Sequence, residues 1–362
     1  MKEKSGSRRR FLKRAAGAAS LACMTSFNSS RCRAAGEKAE WNPKISENIG
    51  SLDDSTLRWM AQIGLKHVVL QDNGQNIDRD GKKFWTVKDI QVAQQKCAEF
   101  GLELTSTIIP IQWYRKNSLG EPGRDEEIDR IVRSIKAAGS AGISMLEWRP
   151  TWLDFYWDER VGYFTAPGRG GAGYKSFDYN RVKNLKDFDE FPHVTPDEMW
   201  DRFFYLARPV VEAADETGTM LSIHPNDPPV SVMRGAPRIF TSMADAERII
   251  SEFPSPVNGI TFCQGTFTEM GVDVIEAIQT LGTRIHHIHL RGVRDKVPYY
   301  EEVFIDEGDV DMFEAMKAYK EIGYTGTIVS DHTPQVEGGG RVGRSFSHGY
   351  IRAMVQAVNS AT

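Results

Sequence analysis

Ile285-His286-His287-Ile288-His289-Leu290-Arg291 is a short apolar run closed by a metal-competent side chain, and three other segments share its form. They are Met220-Leu221-Ser222-Ile223-His224, Gly259-Ile260-Thr261-Phe262-Cys263 and Thr327-Ile328-Val329-Ser330-Asp331. Runs of this length, bounded by turn residues, read as buried strands of a parallel sheet. Strand alternation puts His287 and His289 on one face and His286 on the other, and His289 lies nearer the strand end.

The same rhythm extends toward the N-terminus. Strands are expected over Lys44 to Ile49, His67 to Gln71, Leu102 to Ile108 and Ile143 to Trp148. Helical periodicity runs over Asp54 to Ile63, Val87 to Phe100, Asp125 to Ala138, Pro196 to Thr217, Ala244 to Phe253, Asp273 to Leu281, Val310 to Ile322 and Tyr350 to Ser360. Eight strand-helix units predict an α/β fold, a closed (β/α)₈ TIM barrel. Two places break the rhythm. Residues 149–192, dense in Trp, Tyr, Phe, Gly and Asp, are expected as an insertion after strand four that lies over the barrel mouth. A shorter excursion covers Glu301 to Asp309, after strand seven.

The chain of 362 residues is 40% hydrophobic and 26% charged, an ordinary globular composition, with a net charge of −4 and no basic block. Nucleic acid and polybasic membrane attachment are therefore not indicated, and a small molecule is the expected partner. A homo-oligomer is left open. At the N-terminus, Ser7-Arg8-Arg9-Arg10-Phe11-Leu12-Lys13 precedes a weakly apolar stretch from Ala15 to Phe27. This resembles a twin-arginine export address over residues 1–36, followed by a catalytic domain over 37–362, and it predicts a periplasmic or otherwise exported protein. The apolar stretch is too short and too rich in Ala, Gly and Ser for a membrane span, and Ser20-Leu21-Ala22 before Cys23 is a poor lipoprotein box. Of four cysteines, Cys23 and Cys32 fall in the address, so no structural disulfide is expected from Cys97 and Cys263.

Side chains at the carboxyl ends of barrel strands converge on one mouth. His224, Cys263, His289 and Asp331 close strands five to eight, which are neighbours around the ring. Two imidazoles, a thiolate and a carboxylate suit a borderline divalent ion, Mn²⁺, Fe²⁺, Co²⁺ or Zn²⁺, because sulfur would not suit Mg²⁺ or Ca²⁺. His67, His193 and His348 are read as structural.

The order and spacing of Ser222-Ile223-His224-Pro225-Asn226-Asp227-Pro228-Pro229, Gly235-Ala236-Pro237-Arg238-Ile239, Thr261-Phe262-Cys263-Gln264-Gly265, Ile288-His289-Leu290-Arg291, Asp306-Glu307-Gly308-Asp309-Val310-Asp311-Met312 and Ser330-Asp331-His332 resemble the mannonate dehydratases. The resemblance implies a metal-dependent dehydration of D-mannonate to 2-keto-3-deoxy-D-gluconate. It implies His224, Cys263, His289 and Asp331 as metal ligands, normally of Mn²⁺, and His332 as a catalytic histidine beside the ion. Asn226, Asp227 and Arg291 are expected to bind the hydroxyls or carboxylate of a sugar-acid substrate, although Arg291 is equally suited to pairing with a structural acid.

The chain also departs from that family. Gly338-Gly339-Gly340-Arg341-Val342-Gly343-Arg344-Ser345-Phe346 stands where the family carries a Tyr in a Gly-Tyr segment. Leu146-Glu147-Trp148-Arg149-Pro150 replaces a Tyr-Asn-Phe-Met-Pro strand, Gln71-Asp72 replaces paired histidines, and Asn226 replaces an Asp. The metal set is kept and the groups around it are changed. A lyase is therefore the first expectation, with a sugar isomerase or epimerase of the same barrel type, or a non-catalytic sugar-binding relative, as the alternatives.

Overall fold

The computed structural model describes residues 40–361 apart from 73–75, 78–80, 151–157, 190 and 192. The expected export address over residues 1–36 lies outside the described residues. In chain order the strands are β1 (Lys44–Ile49), β2 (His67–Gln71), β3 (Glu103–Ile108), β4 (Met145–Trp148), β5 (Tyr163–Pro167), β6 (Gly173–Asp178), β7 (Met220–Ile223), β8 (Val232–Met233), β9 (Ala236–Pro237), β10 (Asn258–Cys263), β11 (Ile285–Leu290), β12 (Gly292–Lys296), β13 (Tyr299–Val303) and β14 (Thr327–Ser330). The helices are α1 (Asp54–Gln62), α2 (Val87–Ala98), α3 (Arg115–Leu119), α4 (Arg124–Ser140), α5 (Pro196–Thr217), α6 (Met243–Glu252), α7 (Gln264–Met270), α8 (Val274–Leu281), α9 (Met312–Glu321) and α10 (Gly340–Ser360).

Eight strands close a barrel in the order β1-β14-β11-β10-β7-β4-β3-β2. Every pairing in it is parallel, as the (β/α)₈ expectation requires. Alternation decides what faces what. Leu221, Ile223, Ile260, Phe262, Ile288, Leu290 and Ile328 join the large apolar core shared with helix residues such as Leu57, Ile131, Leu206, Ile278 and Met316. The residues between them, Ser222, Thr261, Cys263, His287 and His289, are buried on the opposite strand face, inside the barrel. One parity thus builds the core while the other carries the chemistry.

Local signals fix the elements that aim the site. Helix α5 starts at Thr195, whose hydroxyl accepts from the Glu198 amide while Glu198 reaches back to the Thr195 amide, with Pro196 in the first turn. It stops at Gly218, whose φ of 68° is left-handed, and the chain turns into β7 and His224. Such a reciprocal cap contributes about 1 kcal/mol.

Three expectations need correction. The closing helix begins at Gly340, not Tyr350. Its first turns hold Gly340 and Gly343, poor helix formers with no side-chain cap, so sequence reading starts it late. Tertiary contacts hold those turns: Arg344 pairs with buried Glu47, and Ser345 accepts from Trp59 Nε1 at 3.0 Å. The excursion after strand seven is longer than expected and forms the antiparallel hairpin β12-β13. The helix α7, directly after Cys263, was not expected either.

The described part of the 149–192 insertion contains the hairpin β5-β6, and β6 pairs with β13, giving a four-stranded sheet β12-β13-β6-β5. Its own small core includes Tyr163, Phe177 and Tyr300, with Phe177 and Tyr300 stacked at 5.1 Å. Among the described residues, no helix is long and apolar enough to cross a membrane.

Candidate metal centre

The neighbouring strands β7, β10, β11 and β14 bring the expected ligands together. One ligand atom each of His224, Cys263 and His289 lies within 4.8 Å of the others, and all three residues are buried. Asp331 joins them from the end of β14, with Oδ2 3.3 Å from Cys263 Sγ and Oδ1 3.9 Å from His289 Nδ1. Cys97 and Cys263 are both free thiols.

Burial strongly lowers the His224 imidazole pKa and so favours the neutral ring a metal needs. Burial pushes the Cys263 thiol well up, opposed first by the Arg291 guanidinium. Asp331 is also buried, yet His332 and then Arg291 outweigh that cost and hold its carboxyl well below the usual range. Two imidazoles and a carboxylate beside a thiol form a donor set that fits a borderline divalent ion.

Arg291 organises the floor of the site. Fully buried, it donates to Asp331 Oδ2 at 2.5 Å, Asp227 Oδ2 at 2.8 Å, Glu269 Oε1 at 2.6 Å and Thr266 Oγ1 at 3.2 Å. Thr266 and Glu269 lie one turn apart on α7, and Thr266 also donates to Cys263 Sγ at 3.1 Å. Gly265 makes room for this arrangement: a Cβ there would sit 2.2 Å from Arg291 Nε. Asp227 accepts from Tyr163 at 2.6 Å and from Tyr300 at 3.2 Å, tying the hairpin sheet to the barrel.

Asn226, Asp227 and Arg291, expected as substrate contacts, are therefore buried among protein partners; Asn226 Oδ1 accepts from the Phe240 amide. The Arg291 guanidinium is held in place by Asp227, Glu269 and Asp331, and its Nε has no hydrogen-bond partner among the described residues. His332 is different. It is partly exposed, its Nδ1 lies 2.8 Å from Glu302 Oε2, and Glu302 Oε1 accepts from Lys175 at 2.9 Å. His332 and then Lys175 bring the Glu302 carboxyl down to about 2 despite its burial.

Beside Asp331 and His332 opens a cavity of about 110 Å³, also lined by Asn48, Gln71, Arg149, Val329, Ser330 and Arg344. Gln71, Arg149 and Arg344 lie in the three segments where the sequence departs from the family pattern. Sequence reasoning did not single out Glu147, Arg149, Lys175, Glu302 or Arg344. Glu147 and Arg149 share the inward parity of β4, a signal that was legible; Lys175 and Glu302 enter only through the pairing of β6 with β13.

The sequence pattern of the D-mannonate dehydratase (UxuA) family matches residues 171–362, more than half of the chain. The chain belongs to the D-mannonate dehydratase family. Mannonate dehydratase 2 of Halalkalibacterium halodurans is 29% identical over 307 residues, covering 76% of this chain and 88% of that protein. The mannonate dehydratase of Thermotoga maritima is 27% identical over 347 residues, covering 85% and 95%. The crystal structure of mannonate dehydratase from Streptococcus suis serotype 2 superposes with a TM-score of 0.77 at 24% identity, covering 88% of this chain and 96% of that one. A 3-keto-D-glucoside 4-epimerase from E. coli shares only the fold, with a TM-score of 0.57 at 14% identity.

Proposed function

We propose that the protein is a metal-dependent hydro-lyase that dehydrates a sugar acid, D-mannonate or a related hexonate or uronate, to its 2-keto-3-deoxy acid. The observation that carries this reading is the convergence of His224, Cys263, His289 and Asp331 at one barrel mouth in a chain of this family. Those four residues would hold one divalent ion, Mn²⁺ first. When bound, the ion supplies the positive charge that loss of a proton beside a carboxylate requires.

The chain's own residues divide the remaining work. His332 stands at the cavity wall next to Asp331, within reach of a substrate proton, and Glu302 fixes its ring by accepting at Nδ1. Its Nε2, 3.6 Å from Asp331 Oδ1, is the nitrogen left to exchange a proton with the substrate. Arg149 and Arg344 give the cavity cationic walls suited to an acidic substrate, and Gln71 and Asn48 offer amides to its hydroxyls. Export by the twin-arginine route would carry the folded protein with its ion already loaded.

Metal analysis of the purified chain, followed by a screen of aldonates and uronates for 2-keto-3-deoxy acid formation, tests the proposal. One Mn²⁺, Fe²⁺, Co²⁺ or Zn²⁺ per chain and metal-dependent formation of such an acid are expected. A metal-loaded protein that only interconverts epimers or isomers would replace the lyase reading.

A further inference from the structure

His289 stands between two groups of buried side chains. Its Nδ1 edge faces Asp331, and its Nε2 lies 2.9 Å from Glu147 Oε2. Glu147 is fully buried, and Arg149 grips its other oxygen, Oε1, from Nε at 2.8 Å and from Nη2 at 2.7 Å. Among the described residues, neither Glu147 Oε2 nor His289 Nε2 has a partner in full hydrogen-bond geometry, and the 2.9 Å approach joins them.

A second imidazole, His287, approaches the same carboxylate, with Nε2 3.6 Å from Oε2. It is the more distant of the two, and its Nδ1 already meets the Thr327 hydroxyl at 2.6 Å and the Thr327 carbonyl oxygen at 3.1 Å. His289 Nε2, at 2.9 Å, is the nearer imidazole nitrogen to Glu147 Oε2. With hydrogen on Nε2, the His289 lone pair is on Nδ1, on the side of Asp331.

The sequence supports the pairing. Glu147 and Arg149 stand where the resemblance to the family has Asn and Met, and they form an ion pair, so a buried charge on β4 has its counter-charge directly after that strand. A histidine that binds a metal generally donates its other N–H to a carboxylate or carbonyl, which fixes the ring and raises its basicity.

We propose that Glu147 is a positioning residue of the metal centre: it accepts the Nε2 proton of His289, directing Nδ1 to the ion, and Arg149 fixes the carboxylate for that task. This rests on the metal centre proposed above. The test is Mn²⁺ and Co²⁺ titration of the metal-free full chain by calorimetry, with circular dichroism as the check on folding. Glu147→Gln is expected to bind one ion with an affinity about ten- to a hundred-fold weaker than the native chain. Because the single variant removes the carboxylate that Arg149 holds, the double variant Glu147→Leu with Arg149→Met removes acceptor and counter-charge together; it should fold and show the same loss. Native affinity in both variants overturns the proposal. Two ions per native chain, falling to one in the variants, also overturns it, since Glu147 would then be a ligand of a second ion. A native chain that binds no ion overturns the metal centre itself and is told apart from the other outcomes by that result alone.

Discussion

His332 Nδ1 lies 2.8 Å from Glu302 Oε2, joining the residue after barrel strand β14 to strand β13 of the hairpin sheet. Lys175, from the insertion after β4, holds the other oxygen of the same carboxylate. Three separate segments therefore determine the orientation of one imidazole. His332→Ala is expected to keep its metal and lose roughly two to four powers of ten in kcat. Glu302→Gln should lower kcat about ten- to a hundred-fold with little change in KM, because it disturbs the orientation of the ring and not the substrate contacts. Full turnover by His332→Ala on the substrate found by the screen would remove it from the chemistry.

Arg291 contacts three acidic side chains at once, Asp227, Glu269 and Asp331, and burial pushes the Glu269 carboxyl well above the ordinary range. Arg291→Met should lower stability by about 3–5 kcal/mol, the usual cost of leaving a buried ion pair without one partner. Chemical denaturation would register this as an earlier midpoint. A midpoint equal to that of the native chain would mean that Asp227, Glu269 and Asp331 do not depend on it.

His286 offers a clean pH signal. Burial brings its imidazole down to about 4 from the ordinary value of 6.5, and its Nδ1 is 2.7 Å from the Leu221 carbonyl oxygen. The folded-state value is depressed, so between pH 6.5 and about 4 only the unfolded chain takes up this proton. Its effect on stability is absent above 6.5 and grows as pH falls, reaching about 3 kcal/mol of destabilisation near pH 4. His286→Asn, which keeps a donor for Leu221, should flatten that part of the stability curve by about one proton. An unchanged slope would show that His286 is not the group responsible.

Export through the Ser7 to Lys13 run is proposed from its paired arginines. Replacing Arg8 and Arg9 by Lys should strand the protein in the cytoplasm of fractionated cells, while the native chain appears outside it. Equal distribution of the two would reject the twin-arginine reading.

The sequence on its own determined the barrel and the four residues at its mouth. Strand parity is local: once Leu221, Ile223, Ile260, Phe262, Ile288 and Leu290 are committed to the helix-facing core, His224, Cys263, His287 and His289 must point inward, whatever the rest of the chain does. Capping signals such as Thr195 with Glu198 are local in the same way, and α5 spans Pro196–Thr217, the bounds its periodicity predicts. Only the tertiary structure decided which polar groups meet around those four. Glu147 meets His289, Glu302 meets His332 and Arg344 meets Glu47 across long stretches of chain. Such meetings depend on barrel closure and on the pairing of two hairpins inserted after different strands, and no periodicity records them. The early start of α10 belongs to the same class. Its glycine-rich first turns have little helical preference of their own and are held by contacts to Trp59 and Glu47, because a packed neighbour can outweigh a propensity of about 1 kcal/mol per glycine.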